Sequence, residues 1–273
     1  MTVRFTRTLL LAGVAALVLA GCQTTLPLEP TSTPFYAVTR SDVDNPSFLY
    51  YMDEFGVATN VGTTDVRIQY IKFNPVDGLL YGTSNPTQGS CAASDLVTLD
   101  LDTGAVASTV ALSTDGNRAA FTFLPDGTLI AHNNCNNSFE EVDVATGDVT
   151  VLGPSGISWY SYGMWTDDSD TVWFVNGDGN VYTVDTTDGS ATLVHEGDDW
   201  TGDNIDVVRR WGDLHIRGDL NPDTGELWGV SPAYGYVVAS AIVRAVVDAD
   251  GAALIDVAPV QSATAIHTLA FPR

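Results

Sequence analysis

The sequence predicts an all-β fold, a five-bladed β-propeller of four-stranded antiparallel blades closed by pairing of its N- and C-terminal strands. Three observations predict it. An apolar run, an Asp and a short segment ending in Gly recur five times. A second turn, built on Pro, Asp and Gly, recurs between them. The chain ends on a fragment of the same unit, and the missing remainder of that unit opens the folded part. No helix-period pattern competes with this reading.

The first series is YMDEFG (51–56), TLDLDTG (98–104), EVDVATG (141–147), TVDTTDG (183–189) and VVDADG (246–251), each followed by a second β-rich run. Two apolar runs joined by a tight Asp/Gly turn make a hairpin, and the Gly supplies the positive φ that the turn needs. The second series is FNPVDGLLYG (73–82), FLPDGTLIA (123–131), WTDDSDTVWFV (165–175) and LNPDTGELWG (220–229). Pro presets φ for a turn and Asp and Gly complete it; the third copy lacks both Pro and Gly. Each unit is therefore strand A, this turn, strand B, a variable loop, strand C, the Asp–Gly turn and strand D. Four strands repeating at 42 to 63 residues is the pattern of a propeller.

The ends fix the blade count. AIHTLAFPR (265–273) reads as a strand A running into its turn, and PFYAVTR (34–40) resembles a strand B. Joining them completes a fifth blade and leaves no unpaired seam. Blade 1 is then 265–273 with 35–62, blade 2 is 66–112, blade 3 is 118–153, blade 4 is 159–196 and blade 5 is 213–260, with an insertion at 197–212.

Ahead of the folded part lie two short segments. Arg4 and Arg7 precede an apolar run, Leu9 to Ala20, which at twelve residues is short of the roughly 20 needed to span a bilayer and fits a secretory signal. The end of the run, Leu19-Ala20-Gly21-Cys22, resembles a bacterial lipobox. That resemblance implies cleavage after residue 21, lipidation of Cys22, export and anchoring to the cell envelope; Gln23, in place of an Asp, favours the outer membrane in a diderm cell. Residues 22–34 then form the lipidated Cys and a Thr/Pro-rich tether, and 35–273 the propeller domain.

Charge narrows the partners. The chain has 34 acidic and 11 basic residues, and Lys72 is its only lysine. Loss of Arg4 and Arg7 with the signal leaves 9 basic residues and a net charge of −25. Such a surface repels nucleic acid and anionic headgroups, so the membrane is reached through lipid alone, and a monomer is expected. Asp is also the natural turn residue, which accounts for part of the excess.

The repeat wording, L-Y-x-x-D-x-x-T-G, resembles bacterial secreted propellers of the broad YVTN and quinoprotein-like kind. The resemblance spans the mature chain and rests on structural turns. It implies the fold and leaves activity open, because such propellers include dehydrogenases, lactonases, glycosidases and many that only bind.

The candidate site follows from the loops. Ligands of propellers usually meet the face formed by the D–A and B–C loops, which here are longer and more irregular than the A–B and C–D turns. The insertion 197–212, the B–C loop 231–240 and the segment 154–163 bring Trp159, Tyr160, Tyr162, Trp200, Trp211, Tyr234 and Tyr236 toward that face with Asp199 and Asp203. Aromatic rings beside carboxylates can stack on and hydrogen-bond a glycan or peptide; packing between blades is the competing reading of each ring. Asp198, Asp199, Asp203, Asn204 and Asp206 offer oxygen ligands of the kind Ca²⁺ takes but not EF-hand spacing, so no cofactor is expected and a solvated acidic loop is preferred. The NGDGN at 176–180 reads as a turn. His215, Arg217, Asp219 and His267 fall on innermost strands, near the channel.

No His pattern of metal-binding type and no nucleophile elbow is present. The expected function is a lipid-anchored binding or scaffold module for a glycan, peptide or envelope protein. The alternative is a hydrolase or oxidoreductase working at the channel mouth. Cys91 and Cys135 occupy equivalent B–C loops of blades 2 and 3 and are the two thiols left once Cys22 carries lipid. In an oxidising compartment they are expected to form a disulfide, the alternatives being two free thiols or a weak metal site with His132.

Overall fold

The structure, a computed structural model, describes residues 33–39, 46–52, 57–85, 91–92, 94–157, 161–202, 216–232, 240–259 and 266–273. Its twenty strands form five four-stranded antiparallel sheets. Blade 1 is β1 (Phe35–Thr39), β2 (Phe48–Met52) and β3 (Ala58–Thr63), with β20 (Ile266–Ala270) as its innermost strand. Blade 2 is β4 (Ile68–Phe73), β5 (Leu80–Ser84), β6 (Asp95–Leu99) and β7 (Val106–Ala111). Blade 3 is β8 (Ala120–Phe123), β9 (Leu129–Asn133), β10 (Ser138–Val142) and β11 (Val149–Pro154). Blade 4 is β12 (Ser161–Thr166), β13 (Val172–Asn176), β14 (Val181–Val184) and β15 (Ala191–His195). Blade 5 is β16 (Arg217–Leu220), β17 (Leu227–Pro232), β18 (Ser240–Val247) and β19 (Ala252–Pro259). The expected blades and closure are all present. The B–C loop of blade 5 is shorter than 231–240, because β17 and β18 continue into both of its ends.

Burial follows radial position. β4 is buried at every residue, whereas outermost β7 exposes four of its six residues and buries none. The apolar faces meet in five wedges, one between each pair of neighbouring blades. The last wedge is the closure. β20 pairs with β1 in the register Tyr36↔Ala270, Ala37↔Leu269 and Val38↔Thr268. Phe35, Trp228 and Phe271 lock it, with ring centroids 5.3 to 6.0 Å apart.

The turns obey their sequence. Asp100 Oδ1 accepts the N–H groups of Asp102 and Thr103 at 3.0 and 2.8 Å, and Gly104 completes the turn at φ 76°. Asp143 repeats the arrangement with Ala145 and Thr146, and Asp185 accepts the N–H and the hydroxyl of Thr187. In the blade 4 turn without Gly, Asp170 takes the left-handed conformation itself, at φ 64°; Asp and Asn tolerate it best among non-glycine residues.

Neighbouring blades also touch backbone to backbone on their outer sides. The end of each outermost strand meets the C–D turn of the next blade: Gly62 against Thr103 and Gly104, Ala111 against Gly147, and Gly153 against Asp188 and Gly189. A Cβ on Gly62 or Gly153 would stand 1.9 Å from the facing carbonyl oxygen, so only glycine fits at these contacts. Blade 4 meets blade 5 through His195 Nε2, which donates to the Asp248 carbonyl at 2.6 Å.

Candidate functional site

Strand direction sorts the molecule into two faces. The A–B and C–D turns form one and the B–C and D–A loops the other. β1 starts and β20 ends at the turn face. Thr33, just ahead of β1, donates its hydroxyl to Asp223 in the A–B turn of blade 5, so the chain arrives there as well.

The lower channel is filled by side chains that cross it. Tyr70, on β4, reaches strands of two other blades: its hydroxyl donates to Gly218 O at 2.9 Å and accepts from Met164 N at 3.2 Å. Burial raises the phenol well above its ordinary pKa, so it stays neutral. Lys72, one pleat nearer the turn face, donates to Gly218 O at 2.8 Å and to Asp219 Oδ1 at 2.6 Å. Arg273 Nη2 donates to the same oxygen at 3.2 Å, and Phe271 N points at Asp219 Oδ2 at 3.4 Å. Burial opposes charge on Asp219, but Lys72 and Arg273 outweigh it and hold the carboxyl below its usual range. Burial pulls Lys72 down to about 8 against the attraction of Asp219. A shallow recess of about 180 Å³, counting space open to solvent, remains between Lys72, Pro75, Thr122 and Arg273.

From the level of Tyr70 upward the channel wall differs. Arg217 donates from Nη1 to the imidazole of His267 on the neighbouring blade. Three of the five innermost strands carry a bulge near their start, at Gln69, Tyr162 and His267, where the register skips one residue. Bulges re-aim side chains and collect near functional sites.

The loop face is braced between blades 2 and 3. Cys91 and Cys135 form a disulfide, with Cα atoms 5.7 Å apart. Beside it Arg118, fully buried, donates from Nε to Glu140 at 2.7 Å, from Nη1 to Ser94 Oγ at 3.2 Å and from Nη2 to Thr114 Oγ1 at 2.6 Å. Asn133 donates to the other Glu140 oxygen at 2.9 Å. A buried ion pair is tolerated when its remaining valences are satisfied. His132 is no metal ligand: Nδ1 donates to Asn134 at 3.1 Å, Nε2 lies 3.2 Å from Ser155 Oγ, and the ring packs on Phe139 and Phe174. Burial lowers its pKa to about 4.

The expected aromatic platform is corrected at Trp200. The ring is 2 % exposed, packs in the wedge between blades 4 and 5, and donates from Nε1 to Gly179 O at 2.8 Å. An indole with one hydrogen-bond donor gains more by filling an apolar wedge than by standing in water. The insertion thus starts by folding back onto the NGDGN turn, which closes with Gly179 at φ 79°. It then runs outward, where Thr201 bridges the outer edge of β19 at Ala253. Asp199 is exposed in a single 3₁₀ turn, Gly197–Asp199. Among the described residues no group of three or more His, Cys, Asp or Glu is arranged to hold a metal ion.

Asp219 sits on an innermost strand as expected, but deep in the lower channel rather than beside Arg217 and His267. Cys22, Trp159, Tyr160, Asp203, Trp211, His215, Tyr234 and Tyr236 lie outside the described residues. Lys72, Tyr70 and Arg273 were not expected. A single Lys inside the apolar strand IQYIKF is the signal that marked one of them.

Residues 28–198 match the profile of a repeat family described as a repeat of unknown function, DUF6923. No curated protein sequence matches the chain. Among solved structures, TolB from Acinetobacter baumannii is similar at a TM-score of 0.53 and 16 % identity, over 89 % of this chain and 67 % of that one. A chain of a nidogen/laminin complex is similar at a TM-score of 0.55 and 9 % identity, over 88 % and 98 %. A Bacteroides thetaiotaomicron protein of unknown function is similar at 0.51 and 12 %, over 86 % and 64 %. At these identities the likeness shows the fold.

Proposed function

The chain belongs to the DUF6923 repeat family, and from that premise we propose that it is an exported, lipid-anchored binding module. Its propeller presents the loop face to a glycan, peptide or envelope protein. The observation that carries the reading is the opposition of the two faces. The chain arrives and ends at the turn face, where Thr33 meets Asp223. A lipid on Cys22 therefore draws the turn face toward the membrane and leaves the B–C and D–A loops pointing away from it. Binding is favoured over channel chemistry because Tyr70, Lys72, Asp219 and Arg273 spend their polar groups on one another and on backbone carbonyls. A nucleophile or general base needs a free valence within reach of substrate. TolB and the nidogen/laminin chain lend the reading a precedent in shape only.

Two measurements test it. Cys22→Ser should move the protein from the membrane to the soluble fraction; retention in the membrane overturns the anchor. On an array of envelope glycans and peptides, charge reversal at exposed loop-face residues Asp115 and Asp199 should alter binding. Reversal at exposed turn-face residues Asp102 and Asp188 should not, and the opposite pattern overturns the assignment of the face.

A further inference from the structure

We infer that the Cys91–Cys135 disulfide is a thiol–disulfide exchange site, opened by a dithiol protein of the thioredoxin class that attacks Cys91, and that the ring stays folded when it opens. The inference goes beyond the binding-module reading and does not rest on it. The two sulfurs stand in different surroundings. Cys91 is exposed, as is its neighbour Ala92, whereas Cys135 is half-buried. Cys135 is also held in place by its own hairpin. Its N–H donates to Asn133 Oδ1 at 3.0 Å, Asn134 N donates to Asn117 O at 2.9 Å, and Asn136 Oδ1 accepts the N–H and hydroxyl of Ser138 at 3.2 and 2.7 Å. The Cys91 side is held by longer contacts: Gly116 N reaches Ala92 O at 3.4 Å, and Arg118 Nη1 donates to Ser94 Oγ at 3.2 Å. Cys91 therefore carries the sulfur that a partner can reach and the one able to move with it.

The architecture does not require the bond. The chain has three cysteines, one of them Cys22 ahead of the ring, so four of the five blade junctions close without a disulfide. The junction that carries it has other ties. Tyr70, Tyr81, Leu96, Phe121, Phe123 and Leu129 fill its wedge, Ala111 meets Gly147 at the turn face, and Arg118 binds Glu140 at 2.7 Å beside the disulfide. Thr83 Oγ1, on blade 2, donates to Arg118 O at 2.9 Å. Exposed disulfides are the labile and regulatory kind, whereas structural ones resist reduction. The exchange balances between the two proteins. A thiolate of the dithiol attacks Cys91 Sγ, forming a mixed disulfide and breaking the Cys91–Cys135 bond. Cys135 leaves as a thiolate and takes up a proton. The second thiol of the dithiol then loses its proton and attacks the partner's sulfur in the mixed disulfide, releasing Cys91, which is protonated in turn. The chain gains two electrons and two protons, and the dithiol is oxidised to its disulfide.

The test uses the purified Cys22→Ser chain, in which this pair are the only cysteines. Two probes are applied: dithiothreitol, and a thioredoxin whose second active-site cysteine is replaced by serine, so that the mixed disulfide is trapped. Tandem mass spectrometry of the trapped complex should place the bond on Cys91. Under native conditions dithiothreitol should reduce the pair at a rate within about tenfold of that in denaturant, the equivalent of an opening free energy below about 1.4 kcal/mol. The reduced chain should keep one cooperative melt with a lower midpoint, and removal of the reductant in air should restore the original midpoint. Reduction that proceeds only with global unfolding identifies a purely structural staple and overturns the inference. A trap on Cys135, or one divided evenly between the two, overturns it too. So does loss of the cooperative transition on reduction, because the ring then depends on the bond. None of these results involves a ligand of the loop face, so the binding-module reading stands or falls separately.

Discussion

Gly153→Ala isolates the contact that sets the spacing of the blades. Gly153 is not among the glycines at positive φ, so alanine brings no backbone strain there. The added methyl would lie 1.9 Å from Asp188 O, against an ordinary contact of 3.4 Å or more, so the two backbones must part by about 1.5 Å. That motion opens the wedge between blades 3 and 4, packed by Ala120, Ile130, Phe139, Met164 and Phe174. A gap of even 0.5–1 Å forfeits roughly a quarter to a half of a van der Waals contact. Overpacking of this kind costs roughly 1–3 kcal/mol. Taking about 2 kcal/mol, the thermal midpoint should fall by roughly 4–8 °C for a domain of this size. The control is Gly78→Ala. Gly78 sits at φ 71° with nothing within 4 Å of a Cβ, so its cost is conformational alone, about 1 kcal/mol and partly offset in the unfolded chain. The assay is a pair of melts by circular dichroism at neutral pH. A Gly153→Ala midpoint within a degree of wild type, or no lower than that of Gly78→Ala, would refute the backbone-contact reasoning.

Two further outcomes are expected. Cys91 and Cys135 close a loop of 44 residues, so their double replacement by Ser should destabilise by about 4 kcal/mol on the chain-entropy account; denaturant melts of the two forms check it, and equal midpoints would exclude a stabilising role. His132, held near pKa 4 by burial, stays neutral in the folded chain at pH values where the unfolded chain is already protonated. Stability should therefore be complete above about pH 6.5 and decline by roughly 3 kcal/mol as the pH falls to 4. His132→Gln should flatten that part of the urea-midpoint profile, and an unchanged slope would place the cause elsewhere.

What the sequence disclosed is what depends on neighbours in the chain. Each turn is read from Asp, Pro and Gly within five residues, because a side-chain oxygen two residues back and a positive φ are local requirements. The closure was legible because a strand with no hairpin partner must pair elsewhere. The disulfide was legible only after the repeats were aligned, which put two distant cysteines at one height of adjacent blades. Trp200 was misread because whether a ring stands on a face or fills a wedge depends on depth between blades, which no local pattern records. Lys72 and Asp219 are 147 positions apart, and Arg118, ahead of β8, meets Glu140 on β10 with β9 between their strands, so neither pairing had a sequence signal. The bulges at Gln69, Tyr162 and His267 were equally hidden, since one extra residue in a strand does not change its composition.

The division of labour between the faces follows from the contacts that build the fold. Every C–D turn described in blades 2 to 5 touches the outermost strand of the preceding blade, and at three of the four junctions a positive-φ Gly or its neighbour makes that contact. A longer or differently shaped turn there would push two blades apart, so the turn face has little freedom to change. Among the described residues the loop face carries no such repeated junction. Between blades 2 and 3 it is held instead by one disulfide and one buried ion pair, Arg118–Glu140. That pair is costly to break, because either charge alone would remain buried at roughly 3–5 kcal/mol. The insertion and the longest strands lie on the other side of the ring, at the junction of blades 4 and 5. A braced sector opposite an elaborated one suits recognition: the first holds the register of the ring, and the second is itself tied to the ring at Trp200 and Thr201, the start of the insertion, among the described residues. If the propeller is a binding module, discrimination between partners should therefore reside mainly in the blade 4–5 loops.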